Sequence, residues 1–349
     1  PLADGFPTPN PAQLAKIEET AMGTVPNGPL PKKLDPDSIT ALQLVAFNEM
    51  MEVALFNSLV TNITTNAKGY SDFQGETKDY VLKVFKTVLA QEEIHAISAN
   101  AALKSAGAPT IAPCGSYHFP ATTFEEGVLF ADEVTALVLG VLQDVASTFA
   151  KSDDARGLVG LVASVVGQEG EQRGYYRRVG KHVPSSLPFG TQANVQLAWN
   201  ALQQFVSDCP SAKDIKLKAG EPVTVVFPPK ESVTATTVLS FKANTTNPPP
   251  LAGTDKNQDK NKHPPAPGAS SSYFVTYINQ LNTPVTVPAK INNPPHGAKP
   301  APGTVEIMAP FPLHEHKLNG LTLALVGTQK GPFATLEDAV KGSVAGPGL

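Results

Sequence analysis

Apolar residues recur at helical spacing through the first part of the chain and give way to short β-branched runs after about residue 210. Proline marks the same division. Of 33 prolines, only Pro109, Pro113 and Pro120 fall between residues 37 and 183, and those three share one connector. Because proline breaks helix interiors, the proline-free stretches are where long helices can run. The pattern predicts a first long helix from Ser38, acting as N-cap, to about Asn66, with Leu42, Val45, Ala46, Leu55 and Leu59 near one stripe. A second helix is predicted over Thr77 to Ser105, a third over Thr123 to Ala150 and a fourth over Ala155 to Val179. A fifth, near Gln192 to Val206, carries the lone Trp199. Short, long and short connections between the four long helices describe two antiparallel hairpins joined by a crossover. The first 36 residues are rich in Pro and Gly, with one short helix expected around Pro11 to Met22.

After Cys209, five runs read as antiparallel strands of a sandwich or small barrel: Pro222–Phe227, Thr236–Phe241, Tyr273–Asn279, Thr304–Met308 and Leu321–Val326. Residues 247–272, rich in Pro, Lys and Ser, read as a mobile loop or linker. The expected organisation is therefore an extension (1–36), a helical bundle (37–209) and a β-sandwich-like domain (210–349), an α+β multidomain chain.

Four carboxylates interrupt the apolar helical stretches: Glu49, Glu92, Glu133 and Glu169. A carboxylate in a buried stripe loses hydration worth several kcal/mol unless a counter-charge is supplied. Each hairpin turn offers a depth gauge. Glu49 lies about 17 residues before the first turn and Glu92 about 15 after it, while Glu133 and Glu169 flank the second turn by about 17 and 14. At about 1.5 Å per residue, all four stand roughly 20 to 25 Å from their own turn. Residues three apart share a helix face, so His95 joins Glu92 and Gln172 joins Glu169. Two Glu residues plus two Glu-x-x-His pairs make the di-iron or di-manganese carboxylate pattern, and here one pair ends in Gln. Glu52, one turn from Glu49, is an alternative ligand or a supporting contact.

At these residues the chain resembles the ferritin-like superfamily over about residues 37–180, roughly two fifths of its length. Leu139-Gly140-Val141-Leu142-Gln143-Asp144-Val145 and Gly167-Gln168-Glu169-Gly170-Glu171-Gln172 are similar to fungal ferritin-like proteins described as stress-response or late-sexual-development proteins, themselves related to desiccation-related proteins. The resemblance implies a secreted fungal protein holding one or two Fe or Mn ions through Glu49, Glu92, His95, Glu133 and Glu169. Gln172, in place of a second His, implies an asymmetric, weaker or single-metal site. The bland alternative pairs the carboxylates with Arg173, Arg177, Lys83 or Lys86, or makes them the remnant of a lost site. Glu93, Glu125, Glu126 and Glu171 are expected to face solvent.

Charge and composition narrow the partners. A net charge of −4 and the absence of basic clusters interleaved with aromatics argue against nucleic acid. No apolar run in the sequence reaches the 18 or so residues of a membrane helix. The two cysteines, Cys114 and Cys209, sit in Pro-flanked segments and fit one disulfide better than a metal site. Sequons at Asn62 and Asn244 would permit glycosylation in a secretory compartment. A chain opening on Pro1 rather than Met is expected to have been processed or engineered. His314-Glu315-His316, behind Pro310 and Pro312 and without a third ligand nearby in the sequence, reads as an exposed polar loop rather than a Cu or Zn chelate. Two functions follow: a secreted ferritin-like metalloprotein handling O₂ or peroxide, or a non-catalytic surface or stress-protective scaffold whose β domain binds a cell-wall component or a protein.

Overall fold

The computed structural model describes residues 2–218, 220–227, 233, 237–244, 273–291 and 304–348. The chain divides into a helical unit, Pro1–Lys218, and a second unit, Ala219–Leu349. It is a mixed α+β protein.

The first unit opens with α1 (Pro11–Ala21), closed by a capping box in which Asn10 and Gln13 satisfy each other's backbone. The long helices are α2 (Pro36–Thr64), α3 (Lys78–Ser105), α4 (Phe124–Lys151) and α5 (Val159–Val179), and α6 (Val195–Leu202) follows. Caps fix their starts: the Thr77 side chain accepts from the Tyr80 amide, Thr123 from Glu126 and Asn194 from Leu197. The cap of α2 is Asp35 and not Ser38, because Pro36 is suited to the first helical position and Asp35 accepts from the amides of Asp37 and Ser38. The fourth helix begins as a 3₁₀ turn, Arg156–Leu158, before α5.

Helices α2 and α3 pack together, as do α4 and α5, and α2 joins the pairs by packing on α4. An aromatic stack of Phe56, Phe85, Tyr176 and Phe124 fills the end near the turn at Gly69. The segment at Thr191 lies so close to α4 that a Cβ on Gly140 would sit 2.1 Å from its carbonyl oxygen, so a glycine is required there. The connector after α3 pairs with the segment after α6 through β1 (Ser116–Tyr117) and β2 (Val206–Ser207). A disulfide joins Cys114 to Cys209 at the same place, as expected for an isolated pair in Pro-flanked segments.

Helix α2 is long and apolar enough by length and composition to cross a membrane, contrary to the sequence-based expectation, but most of it is buried inside the protein. It carries Glu49 and Glu52 in its middle, as a core helix built around polar groups does.

Among the described residues the second unit forms one antiparallel sheet of β3 (Val223–Phe227), β4 (Thr237–Asn244), β5 (Tyr273–Asn279), β6 (Val285–Ile291), β7 (Thr304–Phe311), β8 (Thr322–Gly327) and β9 (Ser343–Gly348). The spatial order is β3-β4-β7-β6-β5-β8-β9, and the outer strands approach each other where the Gly346 amide donates to the Glu221 carbonyl at 2.9 Å. The sheet thus curls toward a barrel, the second of the two forms read from the strand runs, and the sandwich-like domain expected over 210–349 is corrected to that extent. Leu239, Phe241 and Ala243 of β4 and Ile307, Ala309 and Phe311 of β7 point into its core at the period of a strand. Two strands escaped prediction because of their prolines. Pro288 lies where β6 pairs only with β5, and β9, Ser-Val-Ala-Gly-Pro-Gly, lies at the edge of the sheet's order, both positions where a missing amide is tolerated. His314, Glu315 and His316 form a short helix, α7 (Leu313–His316), with all three side chains exposed. The unit also contains α8 (Leu336–Gly342). The linker predicted over 247–272 lies outside the described residues.

Candidate metal centre

Three helices each carry an acid and a polar residue one turn beyond it: Glu49 and Glu52 on α2, Glu92 and His95 on α3, Glu169 and Gln172 on α5. The i,i+3 spacing keeps each pair on one face. Helix packing turns those faces inward, so Glu49, Glu52, Glu92 and Glu169 are no more than 1% exposed.

One ligand atom from each of Glu49, Glu92, His95 and Glu169 lies within 4.8 Å of all the others, so the group could hold a metal ion. His95 Nδ1 is 2.8 Å from Glu92 Oε2, 3.5 Å from Glu49 Oε2 and 4.0 Å from Glu169 Oε1. The histidine side chain is 16% exposed, so the cluster's one accessible side is the His95 side.

The surroundings hold these groups at definite atoms. Gln172 Nε2 donates to Glu92 Oε1 at 2.7 Å, and the Tyr176 hydroxyl donates to Gln172 Oε1 at 3.3 Å. Gln172 therefore meets the cluster through its nitrogen and fixes Glu92 in place. Gln91 Oε1 accepts from Gln168 Nε2 at 3.0 Å and from Gln172 Nε2 at 3.3 Å, which ties α5 to α3. On the other side, Asn48 Nδ2 donates to Glu52 Oε2 at 2.7 Å and Thr135 Oγ1 to Glu52 Oε1 at 3.3 Å. Both Glu52 oxygens are thus occupied, in a supporting position beside the four-residue group.

Glu169 is the opposite case. Among the described residues neither of its carboxylate oxygens has a hydrogen-bond partner, and the same holds for Glu49 Oε2. Burial pushes the Glu49 carboxyl up to about 7, and Glu52 and Glu169 well above the usual carboxylate range, with the neighbouring carboxylates adding to the effect. For His95, burial alone would favour the neutral ring, but the charge and hydrogen bond of Glu92 and the nearby Glu49 carboxylate outweigh it and raise the ring well above its ordinary value. Without a cation the cluster gathers protons.

Not every predicted ligand arrives. Glu133 is exposed on α4 and does not join the group. It stands at the expected depth but on the wrong side of its helix. The α4 residue that faces the cluster is Thr135, two positions on and about 200° around the helix. Arg173 and Arg177, considered as counter-charges, are both committed to Asp132: Arg173 Nε lies 2.8 Å from Oδ1 and Arg177 Nη1 3.3 Å from Oδ2. Glu93 is buried, contrary to expectation, because the N-terminal segment covers that side of α3, where Ile17 and Ala21 pack on Ala90 and Ile94. Burial first, then the charge of Asp4, pushes its carboxyl up to about 8. Glu125 and Glu171 face solvent as expected, whereas Glu126 is half-buried and bonds the Thr122 amide and hydroxyl.

Asn62 is half-buried in the last turn of α2 and bonds the Tyr70 hydroxyl. Asn244 ends β4, and the rest of its sequon lies outside the described residues. Sequence reading missed Asn48, Gln91 and Tyr176, which sit one residue before Glu49, one before Glu92 and one turn beyond Gln172 and could have been sought at those offsets. No family model matches the chain, and no curated protein matches it either.

Proposed function

We propose that the helical unit is a ferritin-like four-helix bundle that holds one or two Fe or Mn ions through Glu49, Glu92, His95 and Glu169, in a secreted protein that handles O₂ or peroxide. The observation that carries this reading is Glu169, a fully buried carboxylate with two unpartnered oxygens facing a histidine and two further carboxylates. A buried charge without counter-charge or hydrogen bonds costs several kcal/mol, and a divalent ion removes that cost.

The donor set selects the ion. Carboxylate oxygens with a single imidazole suit Fe and Mn better than the thiolate-rich or multi-histidine sets of structural zinc and copper sites. Ionised Glu49, Glu52, Glu92 and Glu169 together bring four negative charges, which two divalent ions would balance. Such ions, when bound, supply one-electron chemistry toward O₂ or peroxide. The chain's own residues do the rest. Gln172 and Tyr176 hold Glu92 in one orientation, Asn48 and Thr135 hold Glu52, and the buried helix faces exclude water from all sides but that of His95. The Cys114–Cys209 disulfide agrees with an oxidising compartment.

The full chain, purified without chelator and then reconstituted with Fe(II) or Mn(II) under anaerobic conditions, is expected to carry one to two equivalents by elemental analysis. Metal below about 0.1 equivalent after reconstitution overturns the proposal and leaves the cluster as a protonated polar core. Metal without O₂ or peroxide turnover retains the site as structural and removes the catalytic part.

A further inference from the structure

A pocket of about 200 Å³ enters the helical unit and ends on Glu49 and His95. Its exposed lining residues are Thr24, Pro26 and Ser164, so its open end lies between the segment after α1 and the N-terminal half of α5. Between that rim and Glu49 and His95 the walls are mostly aliphatic and aromatic, with Leu42, Ile94, Leu142, Phe149 and Val162 buried around it and Val165 only half covered, and with Ser98 and Gln168 as the polar exceptions. No Lys or Arg lines it among the described residues.

We infer that this pocket binds a small, uncharged, mostly apolar molecule, of the size of one substituted aromatic ring or a six- to eight-carbon chain, with a hydroxyl or carbonyl end directed at Glu49 and His95. Three observations converge on this class. The volume slightly exceeds the roughly 150 Å³ of an apolar cavity that takes up benzene, which limits the ligand to a single ring or a short chain. The walls offer few polar partners, so a polar ligand would lose hydration along most of its length. Apart from His95, which already faces Glu92 and Glu49, no basic residue lines the pocket to receive an anion, which disfavours carboxylates and phosphates. Placing the polar end against a bound metal rests on the function proposed above, whereas the apolar pocket does not depend on it.

The test uses the full chain, metal-free and Mn(II)-loaded, titrated with 4-methylphenol and with 1-hexanol, and with hexanoate as the charged counterpart, by calorimetry and ligand-observed NMR. Both neutral probes are expected to bind metal-free protein with Kd on the order of 0.1 mM. Val165→Trp, which fills the half-covered wall, is expected to weaken them by about tenfold or more while far-UV circular dichroism and metal content stay as in the parent. If that variant fails to fold, Ser164→Trp at the exposed rim replaces it. Absence of binding, binding that both substitutions leave unchanged, or hexanoate binding as tightly as hexanol overturns the inference. Probe binding in a protein that takes up no metal keeps the pocket and removes the metal reading; metal uptake without probe binding does the reverse.

Discussion

Two sets of buried acids lie in the same helical unit and are treated in opposite ways. Asp132 on α4 meets Arg173 and Arg177 from α5, with each carboxylate oxygen facing its own guanidinium. Glu49, Glu92 and Glu169 meet one another and a single histidine, and three of their oxygens have no hydrogen-bond partner among the described residues. The chain therefore pairs a carboxylate with arginine where only structure is at stake. At the other site it withholds arginine from three carboxylates more deeply buried than Asp132. Arg173 lies four residues beyond Glu169 on the same helix but is turned to Asp132. A cluster assembled in this way is stable only with protons or with a metal ion, and the comparison between the two sites can be broken at either end.

The largest effect is expected from Asp132→Ala, which leaves two half-buried guanidinium groups facing each other. Removing one partner of such a network costs about 3 kcal/mol or more. In a unit of this size that is a fall in Tm of roughly 6–12 °C, with metal content unchanged. A shift below about 2 °C would mean that the arginines find water as readily as they find Asp132.

Glu169→Gln tests the other set. The amide keeps the shape and removes only the charge, so metal affinity is expected to fall about 100-fold, equivalent to ~2.7 kcal/mol. Metal-free stability should change by less than about 1 kcal/mol, because burial and the neighbouring carboxylates already favour the neutral form of the carboxyl that is replaced. Unfolding monitored with and without Mn(II) separates the two. A large loss of metal-free stability would assign Glu169 a structural bond that the unpartnered oxygens deny.

The pH dependence is the next effect in size. Glu49 rises from an unfolded value of 4.5 to about 7, so between those limits the folded state holds a proton that the unfolded state has lost. Its contribution to stability is fully present below pH 4.5 and disappears as pH climbs to about 7, at up to about 1.4 kcal/mol per pH unit for each proton. His95, also raised, adds a loss of the same sign above 6.5. Metal-free protein should therefore lose Tm from pH 4.5 to 7. The gain on adding metal should grow over the same range, since the ion must displace those protons. A metal-free Tm that climbs through this window would show the carboxylates to be charged and paired after all.

Much of this site was legible in the sequence because depth along a helix is a matter of counting. Glu49, Glu92 and Glu169 were brought to one level by their distances from Asn66, Thr77, Lys151 and Ala155, and His95 followed from the i,i+3 rule. Helix starts at Thr77 and Thr123 were legible because the caps are local. What depends on rotation or on a distant segment was not. The burial of Glu93 needs the N-terminal segment on α3, and the prolines of β6 and β9 are tolerated only where the assembled sheet pairs a strand on one side.

Glu133 is the case in which depth misled, and it yields the smallest prediction. Its level on α4 matches the cluster, but facing inward is a question of phase, and α4 is apolar over so much of its circumference that periodicity does not select one face. Buried neighbours at Asp132, Val134 and Thr135 gave no clue that the residue between them points outward. Thr135 occupies the inward phase and bonds Glu52, so α4 contributes a hydroxyl where the two-helix-pair pattern calls for a carboxylate. Glu133→Gln is accordingly expected to leave metal content unchanged and to shift stability by no more than about 0.5 kcal/mol. Thr135→Val, in contrast, removes the donor to Glu52 and should weaken metal binding measurably through a residue that itself holds no ion. If Glu133→Gln lost metal and Thr135→Val did not, α4 would have to be turned about its axis, and the asymmetry between the two buried acid sets would go with it.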